Sequence, residues 1–177
     1  RVLFRSGMRM DMIFAVDRNW NIGYDGDMLF KISADLQRFK DITMGHVLLM
    51  GRKTFVSLPE AKPLPGREHV VLTRDKNFRP EGVHVVSSIE EMDQTLQALT
   101  QDGRQVFLIG GGNLTAQLLD RVNKAYITKV DRAFLPADTL IPNLDQNEDF
   151  HITKTGVPLT DDNGLPYQYV DYERKSQ

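Results

Sequence analysis

The chain has 177 residues, 41% of them hydrophobic and 26% charged, with a formal net charge of -2 and no cysteine. That length suits one domain with a full-sized core, and the balanced charge argues against nucleic acid or anionic lipid as a partner, since both need a basic field. Without cysteine there is no disulfide, thiol nucleophile or Cys-ligated zinc, and no apolar run approaches the length of a membrane span.

The opening RVLFRSG is basic and lacks the apolar core of a signal peptide. Residues 1–7 are expected to be non-native or frayed, ahead of a start near Met8 or Met10, with a single domain over 8–177. DMIFAV (11–16) predicts a buried strand. DRNWNIGYDGD (17–27), rich in Asn, Asp and Gly, predicts a mobile loop. Ser33 is placed to cap a helix running to about Thr43. HVLLMG (46–51) predicts a second buried strand, with a short helix from Arg52. AKPLPGREHVVLTR (61–74) holds a Pro-Gly turn leading into a third strand, HVVLT; HVV (84–86) is a fourth.

Ser88 to Glu91 forms a capping box ahead of a helix that ends before Gly103. QVFLIGGG (105–112) is a fifth strand running into three glycines, followed by a helix over NLTAQLL. KAYITKV (124–130) is a sixth strand. Asn163-Gly164 signals a hairpin, and LPYQYVDYE after it alternates like an edge strand. Continuous apolar strands alternating with helices imply an α/β fold: a mostly parallel sheet covered on both faces, closed by an antiparallel C-terminal hairpin. His46, His69, His84 and His151 are scattered without metal-ligand spacing and read as strand or loop residues; no metal site is expected.

Gly110, Gly111 and Gly112 sit where a buried strand hands over to a helix, and let backbone approach a ligand closely. No Lys-Ser/Thr follows, and Thr115 stands where the third glycine of G-x-G-x-x-G would be, so neither standard phosphate motif applies. A tight turn without a ligand explains these glycines equally well. Gly51-Arg52-Lys53-Thr54 lies at a second strand end, and Arg74 follows a third. Ligands of open parallel sheets gather at that edge. Two glycine turns and several cations fit a dinucleotide, and the surplus of positive charge favours NADP over NAD; solvated surface arginines are the alternative. Asp35 shares a helix face with Phe39, and Met28, Leu29, Phe30 and Ile32 run ahead of it. A lone carboxylate on an apolar face needs a partner, and a flat ligand with two adjacent N–H donors supplies one. An ordinary first-turn acid at the helix's positive end is the other reading.

Five segments stand in order: IFAVDRNWNIGYDGDMLF, ADLQRF, VLLMGRKTF, the PLPGR turn and FLIGGG. On them the chain resembles the dihydrofolate reductase family from about Met10 to the C-terminus. The resemblance implies an eight-stranded mixed sheet with four helices. It also implies NADPH as cofactor, dihydrofolate as substrate, and hydride transfer from nicotinamide C4 to pterin C6 with a proton delivered to N5. Asp35 would grip the pterin, supported by Thr128, with Met28 and Phe30 at the reacting end. Ile13, Ala15, Leu36, Phe39, Leu58 and Leu64 would wall the folate site, and Arg67 would clamp the glutamate carboxylate. NADPH would lie against Ala15, Ile22, Gly23, Gly51, Arg52, Lys53, Thr54, Thr73 and Arg74. Its further contacts would be Ile109, Gly110, Gly111, Gly112, Asn113, Leu114 and Thr115, with a cis bond between Gly110 and Gly111. Asp17 to Met28 would form a lid.

Two positions depart from the family pattern. Phe30 replaces a tryptophan and lacks its N–H donor, and Thr115 replaces an aromatic ring beside the nicotinamide. Two other readings share the fold: an NADPH reductase of the riboflavin pathway, and a weakly active NADPH- or folate-binding paralogue. The resemblance further implies a cytoplasmic, monomeric enzyme of one-carbon metabolism, with no nucleic-acid or membrane partner.

Overall fold

Strands that are apolar on both faces need cover on both faces, and the arrangement of this chain follows from that need. The structure is a computed structural model describing residues 8–176; the expected frayed terminus, 1–7, lies outside the described residues. Its strands are β1 (Met10–Val16), β2 (Asn21–Tyr24), β3 (Asp27–Met28), β4 (Val47–Gly51), β5 (Glu68–Leu72), β6 (His84–Val86), β7 (Val106–Leu108), β8 (Lys124–Val130), β9 (Thr139–Leu140), β10 (Phe150–Thr155), β11 (Leu159–Thr160) and β12 (Pro166–Arg174). The helices are α1 (Ser33–Thr43), α2 (Arg52–Val56), α3 (Ile89–Leu99) and α4 (Gly112–Leu118).

Eight strands run in the order β10-β12-β8-β1-β7-β4-β5-β6, and short β11 pairs with β12. From β8 through β6 all neighbours are parallel; β12 runs antiparallel to β8, β10 and β11. Successive strand side chains point to opposite faces, and the core splits accordingly. Met10, Met12, Phe14, Val47, Leu49, Val106 and Leu108 pack on one face with Met92 and Leu96 of α3 and Leu114 and Leu118 of α4. Ile13, Leu48, Met50, Phe107 and Val71 pack on the other, with Phe39 and Ile42 of α1 and Phe55 of α2. The mostly parallel sheet and the C-terminal hairpin are therefore as the pattern of apolar runs implies.

Several local expectations need correction. Ser33 is the first helical residue of α1, not its cap: the cap is Ile32, in extended conformation and without a side-chain cap bond. Ile32 is only 3% exposed, so burial of its side chain fixes where the helix begins. The segment 17–27 contains β2 and β3, which join β9 in a separate three-stranded sheet. The stretch 165–173 forms most of an interior strand, β12, rather than an edge; β10 lies outside it. FHITKT of β10 is nearly all exposed, and such a polar run gives no hydrophobic alternation to read.

Ser88 caps α3 as expected, its hydroxyl accepting from the Glu91 N–H at 3.1 Å, but the return bond of the capping box shifts by one residue: Glu91 accepts from the Ser87 N–H, ahead of the cap, at 2.7 Å. At the hairpin, Gly164 has φ +82°, and the Asp161 carboxylate accepts from the Asn163 and Leu165 N–H groups at 2.9 and 2.7 Å.

One glycine fits because α4 starts against β9. A Cβ on Gly112 would stand 2.3 Å from the Leu140 carbonyl oxygen, which is backbone and cannot swing away. Gly112→Ala is therefore expected to destabilise the protein by about 1–3 kcal/mol, read as a lower midpoint in urea unfolding; an unchanged midpoint would contradict this packing.

Candidate functional site

Inside the sheet β8 is flanked by β1 and β12, and Thr128 is paired with Ala15 on one side and Tyr169 on the other. In-register neighbours project to the same face, here the face covered by α1. The first turn of α1 brings Asp35 there, and the Thr128 hydroxyl donates to the Asp35 carboxylate at 2.5 Å. Burial pushes the Asp35 pKa up; the Thr128 bond and the Arg38 charge pull it back only in part. Arg38 lies one turn further along α1, 4.1 Å over the Tyr169 ring, with Asp171 at 3.8 Å. Burial, and next the charge of Asp35, push the Tyr169 phenol up to about 12, so it stays protonated. The small side chain of Ala15 leaves the sheet face low beside this acid.

Beside this polar spot stands an apolar wall. Ile13, Phe39, Leu58, Leu64 and Ile109 belong to one packed cluster, whereas Leu36 projects outward at 44% exposure. Arg67 follows a turn in which Gly66 has φ +76°, a conformation open to glycine at little cost. Its guanidinium donates to the Pro65 carbonyl at 3.0 Å and to the Thr43 hydroxyl, at the end of α1, at 3.2 Å. Acid, wall and cation thus lie along a single helix, with the acid at its start and the cation at its end.

A second group of residues meets at the C-terminal ends of β4 and β7. The Gly51 N–H donates to the Gly110 carbonyl at 2.8 Å, and the bond between Gly110 and Gly111 is cis. A Cβ on Gly110 would come within 2.9 Å of the Thr54 hydroxyl, so Thr54 closes on bare backbone. Neither α2 nor α4 has a side-chain cap at its start, which leaves backbone N–H groups there without an intrahelical partner. Arg52 lies 4.0 Å from Asp75. Thr73, Arg74, Asp75, Lys76, Arg79 and Ser87 line an open cleft of about 560 Å³. Lys53 and Asn113 are exposed. Leu114 and Thr115 are buried, and the Thr115 hydroxyl donates to the Gly111 carbonyl at 2.8 Å. Thr115 thus braces the strand-to-helix turn from within instead of presenting a surface to a ring.

The segment expected to act as a lid is tied at both ends. Buried Asp17 accepts from the N–H groups of Asn19, Asn21 and Phe134 at 2.8, 2.9 and 3.0 Å. Asp138 accepts from the Asp25 N–H at 2.9 Å and donates its own N–H to Gly23 at 3.0 Å. That first bond leads the causes holding the Asp138 pKa below its usual value. Ile22 and Gly23 lie within this segment, in β2. Met28 is exposed at 44%, its backbone paired with Gly23, and Phe30 packs at a tilt against Phe134 with ring centroids 5.2 Å apart.

Sequence reasoning missed Asp138, Arg38 and Tyr169. Spacing could have found Arg38, three residues after Asp35 on the same helix face. Asp138 lies in an irregular tract with no periodic signal, and Tyr169 depends on a strand register that the sequence does not reveal.

Comparison with known proteins accords with this geometry. The family model for dihydrofolate reductase matches residues 9–174. A dihydrofolate reductase of Mycobacterium leprae is 37% identical over 166 residues, covering 92% of this chain and 96% of that protein. One from Staphylococcus aureus is 34% identical over 169 residues, covering 95% and 99%. The solved structure of dihydrofolate reductase from Enterococcus faecalis, complexed with NADP(H) and RAB-propyl, superposes with a TM-score of 0.83 at 28% identity, covering 98% of this chain and all of that one. Nearly the whole length matches, in sequence and in fold: the chain belongs to the dihydrofolate reductase family.

Proposed function

We propose that this chain reduces 7,8-dihydrofolate to tetrahydrofolate with NADPH, as a monomeric cytoplasmic enzyme of one-carbon metabolism. The observation that carries the reading is the Asp35 carboxylate, hydrogen-bonded to Thr128 at 2.5 Å and raised in pKa by burial, at the foot of an apolar wall. Such an acid is costly until a ligand donates to it, and the amino and ring N–H groups of a pterin form the bidentate partner. Arg67, at the far end of α1, binds the carboxylate of the glutamate tail. The riboflavin-pathway substrate, a ribosyl-phosphate pyrimidine, gives that cation no such tail to bind.

The residues at the second strand edge fit NADPH. Bare backbone at Gly51, Gly110 and Gly111 admits close approach, and Arg52, Arg74 and Lys76 supply charge for phosphates. When bound, the cofactor supplies the hydride. Within the chain, Ile13 and Ala15 form the floor on which the rings are aligned, and alignment of reacting atoms is a large part of such a barrier. The Asp35 charge raises the basicity of the bound pterin electrostatically, and water brings the proton to N5. The lid segment, held by Asp17 and Asp138, excludes bulk water. Phe30, packed on Phe134, presents hydrocarbon where the family pattern has an indole donor; proton delivery therefore proceeds without that anchor.

Asp35→Asn is expected to lower turnover about a hundredfold or more while NADPH affinity holds, measured by NADPH absorbance with dihydrofolate and by cofactor titration. Arg67→Leu should raise KM about 10- to 100-fold for dihydrofolate but leave a tail-less dihydropterin nearly unaffected; equal losses would remove the clamp. A third expectation concerns stability. Because burial raises the Asp35 pKa above its unfolded value of 3.8, the ionised acid costs stability above the raised pKa, and the cost disappears as pH falls below the unfolded value. Asp35→Asn keeps an acceptor for Thr128, so the ligand-free variant should melt above the parent at pH 7, with the gap closing at about pH 4; a gap constant across that range would refute the assignment.

A further inference from the structure

The reaction outlined above makes no use of His69, yet this is the only histidine among the described residues with no solvent exposure. It sits in β5 directly beyond the PLPGR turn, and both of its ring nitrogens are engaged with that turn. The Leu64 N–H donates to Nε2 at 3.0 Å. Nε2 therefore carries no proton, and the neutral ring holds its hydrogen on Nδ1. Nδ1 in turn donates to the Arg67 carbonyl, 3.2 Å away. Burial pushes the His69 pKa down, which agrees with a neutral ring. Phe55, 6.2 Å away and edge-on, closes it from the side.

One rigid ring thus spans the chain from Leu64 to Arg67. Leu64 belongs to the apolar wall and Arg67 is the cation, so the imidazole joins two parts of the folate cleft through their backbones. The turn between them has few other restraints: Gly66 accepts from the Gly45 N–H at 2.9 Å, and Pro65 accepts from Arg67 itself. Removing the ring strands a backbone donor and a backbone acceptor, and leaves the long Arg67 side chain rooted in a looser turn.

We propose that His69 is a positioning residue that determines how tightly the enzyme discriminates in favour of substrates with the glutamate tail, by fixing the turn that aims Arg67. The inference rests on Arg67 binding that tail, and the experiment separates the two claims. KM and kcat are measured with dihydrofolate and with a tail-less dihydropterin for the parent, Arg67→Leu, His69→Ala, His69→Asn and the double variant Arg67→Leu/His69→Ala. His69→Ala is expected to raise KM for dihydrofolate about tenfold, with kcat and the tail-less KM changed by less than about twofold. His69→Asn keeps an amide that donates to the Arg67 carbonyl and should recover most of the loss; if the alanine variant fails to fold, His69→Leu, which fills the site but lacks both contacts to the turn, should show the same raised dihydrofolate KM and carries the test. The double variant should bind dihydrofolate no worse than Arg67→Leu alone, since both act through one contact. Equal KM changes for the two substrates in His69→Ala, a loss confined to kcat, or full additivity in the double variant would overturn the proposal. If Arg67→Leu itself fails to distinguish the substrates, the reading of Arg67 falls first.

Discussion

A carboxylate that is not allowed its full hydration governs this structure. Asp35 is held half in and half out of an apolar face, with one hydroxyl and one guanidinium to moderate its charge. A fully buried ion would shift its pKa and neutralise; a fully exposed one would be satisfied by water and prefer no ligand. The intermediate state requires rigid surroundings. Thr128 provides them because it lies on the interior strand β8, hydrogen-bonded on both sides, while α1 is pinned by Ile32 at one end and Thr43 at the other, both buried.

The remaining chemistry is arranged around that point by backbone more than by side chains. At the C-terminal ends of β4 and β7, the close contacts are glycine to glycine and glycine to threonine. Along the segment 17–28, Asp17 and Asp138 accept from peptide N–H groups. Under the Arg67 turn, an imidazole does the same. Side chains that bind backbone fix a path without filling the cleft, and so leave its surface to the ligands.

How much of this could be read in advance varied with the kind of signal. The apolar runs of β1, β4 and β7 and the glycines after β7 declare themselves locally, because buried strands and tight turns each restrict residue type. The place of Asp35 on the first turn of α1 and the turn ahead of Arg67 were legible through helix phase and turn chemistry; the roles proposed for them come from the family resemblance. What escaped depended on register or on partners distant in sequence. FHITKT shows no alternation, so nothing in the sequence announces the strand that lies outside β12. Tyr169 gains its meaning only from standing opposite Thr128, and Asp138 only from β9 reaching Gly23. Thr115 lies just after the glycines, as its position in the sequence shows, yet its buried hydroxyl turns to the Gly111 carbonyl, which no spacing rule anticipates.

Trp20, with φ +61°, lies between β1 and β2, packed edge-on against Tyr172 at 5.8 Å and beneath the Lys129 ammonium at 5.7 Å. It is the one indole in the chain. Excited at wavelengths where tyrosine is dark, the whole protein therefore emits from a single spot, at the root of the segment that carries β2 and β3. Its colour and lifetime depend on a phenol and an ammonium anchored in the sheet, so any slippage of that segment writes itself into the spectrum, and the molecule carries its own optical gauge with no dye attached.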